Sequence, residues 1–156
     1  MILHPERLNG VKKLLYNFAS KVAFKTLDKL NRNILIVYGY RNNGLQTALY
    51  AQGREDLSKV NELRHIAGTY PITEKENKRT VTNANAGQSP HNYYMAIDIA
   101  CMKEKSIKEI DWNNVSFWKI VEKEVAHCPE LFWGGNFKII DKPHIEIKDW
   151  KKIICF

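Results

Sequence analysis

Apolar residues recur at steps of three and four from Pro5 to about Leu30, through Leu8, Val11, Leu14, Leu15, Phe18, Val22 and Leu27, which predicts one or two amphipathic helices. Pro5 suits a first helical turn, where its missing N–H costs nothing. The pattern then changes. Asn33 to Arg41 carries the apolar run Ile34-Leu35-Ile36-Val37-Tyr38, so a buried strand is expected that delivers Arg41 to its end. Asn42-Asn43-Gly44 reads as a turn, after which Leu45, Ala48, Leu49 and Ala51 restore helical spacing up to Gly53, a C-cap candidate.

Residues 54 to 80 are charged and weakly periodic, and are expected to form a long surface excursion. Val81-Thr82 and Tyr94 to Ala100 read as strands on either side of a loop, Asn83 to Asn92, rich in Asn, Gly, Ser and Pro. A helix is expected from about Val115 to His127, a turn at Trp133-Gly134-Gly135, and a last strand around His144 to Ile147. Helices followed by strands, with hairpin-length connections late in the chain, predict a small single α+β domain with a mainly antiparallel sheet and flanking helices.

Composition narrows the class. A chain of 156 residues with 44% hydrophobic and 26% charged residues is neither a disordered polyampholyte nor a disulfide scaffold. No window reaches the roughly 18 to 20 apolar residues of a membrane span, so no membrane insertion is expected. The first residues lack the order of a secretory signal, so a cytoplasmic location is expected. Cys101, Cys128 and Cys155 are odd in number and widely spaced, which favours reduced thiols. The net charge of +7 attracts polyanions. Its basic residues lie in scattered pairs without a nucleic-acid-binding signature, so nucleic acid is not expected as a partner, while an anionic membrane and anionic envelope polymers both stay open, since the sign of the charge alone does not choose.

The chemically useful residues concentrate in two segments, Ser89 to Asp98 and Asp141 to Glu146. A catalytic zinc site takes three ligands from imidazole and carboxylate and leaves one position open. His91, Asp98 and His144 would supply that set. By spacing alone the two histidines are more often a loop histidine and a strand-end histidine than ligands, but a carboxylate in the apolar strand around Asp98 demands a partner. Asp141, three residues before His144, would stand where a base can take a proton from an attacking water. Arg41 is the candidate cation for a developing oxyanion or a substrate carboxylate, although an arginine there is also an ordinary salt-bridge residue. Glu146, two residues after His144 on one strand face, would orient that histidine or serve as an ion-paired surface residue. Trp133, beside two glycines, is the tryptophan best placed to touch substrate.

Tyr38-Gly39-Tyr40-Arg41 with Gln46, Ser89-x-His91 with Ala96-Ile97-Asp98, Trp133-Gly134-Gly135, and Asp141-x-Pro143-His144 together resemble the zinc peptidases that include phage L-alanyl-D-glutamate endopeptidases and D-alanyl-D-alanine carboxypeptidases and dipeptidases. The blocks keep the family's order from about residue 35 to residue 147. The resemblance implies zinc held by His91, Asp98 and His144 at the sheet of an α+β fold, Asp141 as acid/base, Arg41 as substrate-binding and charge-stabilising residue, and Gln46 and Ser89 at lesser active-site positions. It also implies a peptidoglycan substrate. Asp141, where the carboxypeptidase and dipeptidase branches usually carry Glu, favours cleavage of the L-Ala-D-Glu bond. One departure stands out: Tyr94 occupies a position where the family generally has glycine.

These observations lead to the expectation of a monomeric endolysin-type catalytic domain over residues 1–156, without a separate cell-wall-binding domain, held in the host cytoplasm until it is released to the wall. A D-Ala-D-Ala carboxypeptidase or dipeptidase, or a non-catalytic zinc-containing wall-binding protein, is the alternative.

Overall fold

A computed structural model describes residues 1–104 and 107–154. The chain divides into two compact units, residues 1–40 with 93–156, and residues 41–92. Cys155 lies outside the described residues, and Cys101 and Cys128 are free thiols.

The first unit is built on a five-stranded sheet. Its strands are β1 (Ile2–Leu3), β2 (Ile34–Tyr38), β3 (Ala96–Cys101), β4 (Leu131–Trp133) and β5 (His144–Ile147), in the order β1-β2-β3-β5-β4. Only β1 and β2 run parallel; the other pairs are antiparallel, as expected. The early apolar periodicity resolves into a 3-10 turn, Pro5–Leu8, and helix α1, Lys13–Leu30. Leu15, Phe18 and Val22 of α1 pack with Ile97 and Ile99 of β3, Ile145 of β5, and Phe117 and Val121 of the later helix Val115–Ala126. Asn114 caps that later helix by accepting from the Phe117 N–H at 2.9 Å. Glu124 on it is buried, and Lys25 of α1 neutralises it in an ion pair.

The β2–β3 ladder carries one irregularity. Ile36 pairs with Ile99 and Tyr38 with Asp98, so Val37 is an extra residue in β2. Arg7 meets the displaced backbone: its Nη1 donates to the carbonyls of Ile36 and Val37, both at 2.9 Å. The bulge brings Tyr38 opposite Asp98.

The second unit is helical, with α2 (Asn43–Ala51), α3 (Leu57–Ile66) and α4 (Glu74–Asn77). Residues 54–80 therefore do not form the surface excursion expected of them. Val60 and the stem of Arg64 are buried one helical turn apart, a short apolar stripe that the many charges obscure. Local signals also favour helix. Asp56 accepts from the Lys59 N–H at 2.9 Å, and Thr73 with Glu76 forms a capping box. Asn61 then pins the intervening loop, exchanging two hydrogen bonds with the backbone of Ile72. Val81-Thr82 is not a strand; Thr82 instead turns its hydroxyl and carbonyl to Gln46 and Arg54. With the later helices α5 (Val115–Ala126) and α6 (Trp150–Ile154), no helix of the described residues is long and apolar enough to cross a membrane.

Candidate metal centre

Strand alternation sorts β3 and β5 by face. Ile97, Ile99 and Cys101 join the core, as do Ile145 and Ile147, which leaves Asp98 and His144 with Glu146 on the opposite face. Register then pairs them: Asp98 lies opposite His144, and Ala96 opposite Glu146. The small side chain of Ala96 leaves room for the glutamate to reach back.

His144 Nδ1 lies 3.1 Å from Asp98 Oδ1, and its Nε2 lies 3.0 Å from Glu146 Oε2. Burial by itself would lower the pKa of this ring. The hydrogen bonds to Asp98 and Glu146, with their charges, outweigh burial and raise it to about 9. Glu146 is thus bound to the histidine rather than paired at the surface.

His91 is positioned by a different device. It sits in a 3-10 turn, Pro90–Tyr93, where sequence suggested only a loop. Its carbonyl accepts from the Arg41 N–H at 3.1 Å, and its N–H donates to Ser89 Oγ at 3.4 Å. Asn92 ties the surrounding backbone together: its Oδ1 accepts from Gly87 and Ser89 N–H at 3.0 and 3.3 Å, and its Nδ2 donates to the Arg41 carbonyl at 2.8 Å. Reading the sequence for ligands passes over Asn92. The available signal was a short amide side chain in a Gly- and Ser-containing loop, a residue type that satisfies nearby backbone groups.

Ligand atoms of His91, Asp98 and His144 all lie within 4.8 Å of one another, and all three side chains are buried. Two imidazoles and a carboxylate form the donor set of a three-ligand zinc site with one open coordination position, so these residues fit the metal expected from sequence. The Glu146 contact supplies the outer partner that a ligating histidine requires to fix its ring.

Asp141 is exposed and held by its backbone. Its N–H donates to the Gly134 carbonyl at 2.9 Å, and its carbonyl accepts from the His144 N–H at 3.1 Å. A Cβ at Gly134 would fall 2.2 Å from the Asp141 carbonyl oxygen, so glycine is required there by close approach. Trp133 is only 6% exposed, and its indole N–H donates to the Lys142 carbonyl at 2.7 Å, so it braces the turn after Asp141.

Arg41 is buried just before Asn42, the N-cap of α2, three residues beyond the end of β2. Gln46 of α2 is fully buried, and its amide donates to Thr82 Oγ1 at 3.3 Å and to the Ala84 carbonyl at 2.8 Å. Ser89 is buried as well, with its hydroxyl turned to His91. Tyr94 retains the left-handed backbone that glycine would adopt, with φ +60°. That conformation costs an ordinary residue about 1–2 kcal/mol. Contacts of its ring and carbonyl with Tyr40, Gly10 and Lys12 offset the strain.

Residues 82–147 match a family described as D-alanyl-D-alanine carboxypeptidase. The peptidoglycan L-alanyl-D-glutamate endopeptidase CwlK of Bacillus subtilis (strain 168) is 33% identical over 122 residues, covering 74% of this chain and 60% of CwlK. The match thus spans less than two thirds of that relative's length. Among solved structures, the Serratia marcescens L-Ala D-Glu endopeptidase ChiX superposes with a TM-score of 0.52 at 15% identity, covering 97% of this chain and 93% of ChiX. The vancomycin-resistance D,D-pentapeptidase VanY, an E175A mutant solved with Zn(II), gives a TM-score of 0.48 at 14% identity over 89% of this chain and 74% of VanY. The likeness to ChiX establishes a shared fold.

Proposed function

Because this chain belongs to the zinc-dependent family of D-alanyl-D-alanine carboxypeptidases and L-alanyl-D-glutamate endopeptidases, we propose that it hydrolyses the L-Ala-D-Glu bond of the peptidoglycan stem. The buried His91–Asp98–His144 cluster carries the hydrolase reading. The similarity to CwlK, together with aspartate at position 141, supports the choice of bond.

Zinc, when bound, supplies Lewis acidity toward the scissile carbonyl and the attacking water. His91, Asp98 and His144 hold the ion, while Glu146 orients the His144 ring. Asp141 accepts the proton of the attacking water and returns it to the departing amine of D-glutamate. Arg41 balances negative charge on the substrate or at the reacting carbonyl. In this reading the protein is an endolysin, cytoplasmic until a membrane pore admits it to the wall, and its +7 charge draws it to anionic envelope polymers.

Fragment masses from purified peptidoglycan test the reaction. Zinc-loaded protein should release fragments with a new N-terminal D-glutamate or its amide. Chelation should abolish that release and zinc restore it. Asp141→Ala should lower the rate by about 10²–10⁴-fold while zinc content is kept. Loss of terminal D-alanine instead would make the protein a carboxypeptidase, and no release from several wall types by zinc-loaded protein would make it a binder. Lysis of cells only when a pore-forming protein is co-expressed tests the endolysin role.

A further inference from the structure

Tyr40 and Tyr94 stack face to face, with ring centroids 4.2 Å apart and an interplanar angle of 10°. Stacked aromatic pairs that serve a core are buried, yet these two remain 42% and 38% exposed. They also cannot retreat inward. Gly10 lies against the Tyr94 ring so closely that a Cβ there would fall 2.7 Å from it, and the Lys12 N–H fixes the Tyr94 carbonyl at 3.1 Å. A strained backbone at φ +60° thus holds an aromatic pair at the surface.

The location gives the pair a use. Tyr38 lies opposite Asp98, and Asp98 opposite His144. Tyr40 is two residues beyond Tyr38, and Tyr94 is four residues before Asp98, so both stand toward the end of the sheet from which β3 starts. Four residues of chain span at most about 14 Å.

We infer that Tyr40 and Tyr94 form a stacking platform for a sugar ring of the glycan strand, next to the stem being cut. This inference rests on the L-Ala-D-Glu reading. In peptidoglycan the L-alanine nitrogen is acylated by the lactyl group of the muramyl sugar, so only one amino acid and the lactyl unit separate the scissile bond from a pyranose ring. That separation is roughly 7–11 Å, the reach of two to three residue lengths. The bound of about 14 Å between Tyr94 and Asp98 along the chain includes this separation. A bond between terminal D-alanines would lie several residues farther from the sugar. The axial C–H face of a pyranose packs against an aromatic face through dispersion and exclusion of water, and each tyrosine hydroxyl adds a hydrogen-bonding group at the ring edge.

The test compares two soluble substrates with the same stem, one carrying N-acetylmuramic acid on L-alanine and the other carrying a simple acetyl group. Zinc-loaded wild type should prefer the muramyl substrate in kcat/KM. Tyr40→Ala should reduce that preference about fivefold, whereas Tyr40→Phe, which keeps the ring, should retain it. An unchanged preference in Tyr40→Ala would overturn the platform, as would a parallel fall on both substrates. Ligand-observed NMR with stem-free glycan strands provides a second readout that does not depend on catalysis. Saturation transfer to wild type that disappears in Tyr40→Ala supports the platform, and no transfer to wild type overturns it. If neither substrate is cut after L-alanine, the L-Ala-D-Glu reading fails by itself, and the glycan titration still decides the platform.

Discussion

His144 is held to Asp98 by a strand ladder, whereas the backbone around His91 is held by one asparagine side chain. In the first case the β3–β5 register places both candidate ligands on one face, and the hydrophobic residues between them enforce that register, because a slip of one residue would turn Ile145 and Ile147 out of the core. In the second, no ladder is available. Asn92 satisfies two N–H groups and one carbonyl of a loop, and the Arg41 and Ser89 contacts then fix the backbone of His91. The strand ligands therefore draw on the stability of the whole sheet, while the loop ligand depends on a few specific hydrogen bonds.

The contrast is tested most severely by Asp98→Ala, which removes a candidate ligand without disturbing the β3 face that packs the core. Zinc affinity should fall by more than about 100-fold, beyond the loss seen when only an outer partner is removed. Competition with a chromophoric chelator measures it, and wild-type affinity in the variant would refute the ligand assignment. Asn92→Ala should come next. Three backbone groups lose their partner, so stability should fall by about 1–3 kcal/mol and zinc affinity by about 10–100-fold. Loss of stability with unchanged affinity would show that His91 does not rely on this asparagine.

Glu146→Gln sharpens the strand side of the comparison. Glutamine preserves an acceptor for His144 Nε2 but removes the charge, so zinc affinity should fall by about tenfold at most. A loss as large as that of Asp98→Ala would make Glu146 a ligand rather than an orienting residue. The smallest effect concerns Cys101, at the far end of β3, whose thiol is pushed up by burial from 9.0 to about 11. The unfolded thiol ionises first, so its contribution to stability is complete below pH 9.0 and is lost as pH rises through about 11. Denaturant titrations at pH 8 and pH 10 should differ less in Cys101→Ala than in wild type. Equal alkaline losses would assign the effect to other groups.

Much of the sheet was legible because short apolar, β-branched runs mark buried strands. Ile34–Tyr38 and His144–Ile147 follow directly from β-branched and alternating residues. The edge strand Leu131–Trp133 escaped, because three residues are too few to show a period. Helix α3 escaped for the opposite reason: only one side of it is covered, and its exposed charges dominate the pattern. The two glycines after Trp133 mark a turn in the sequence, but their reasons lie in the fold: the Asp141 backbone passes against Gly134, and the Trp133 ring lies against Gly135.

By itself, the sequence determined the elements that periodicity encodes, the chemical types of the candidate donor set, and the spacing His91-x6-Asp98 that lets a turn and the strand after it contribute two of its residues. Only the tertiary structure decided that Glu146 grips His144, that Asn92 secures the His91 turn, that Trp133 is a brace, and that Tyr94 keeps the backbone of a glycine while carrying an exposed ring. The division has a physical cause. Periodicity and residue type are properties of neighbours along the chain, whereas these four roles depend on register, close approach and hydrogen bonds between segments that only folding brings together.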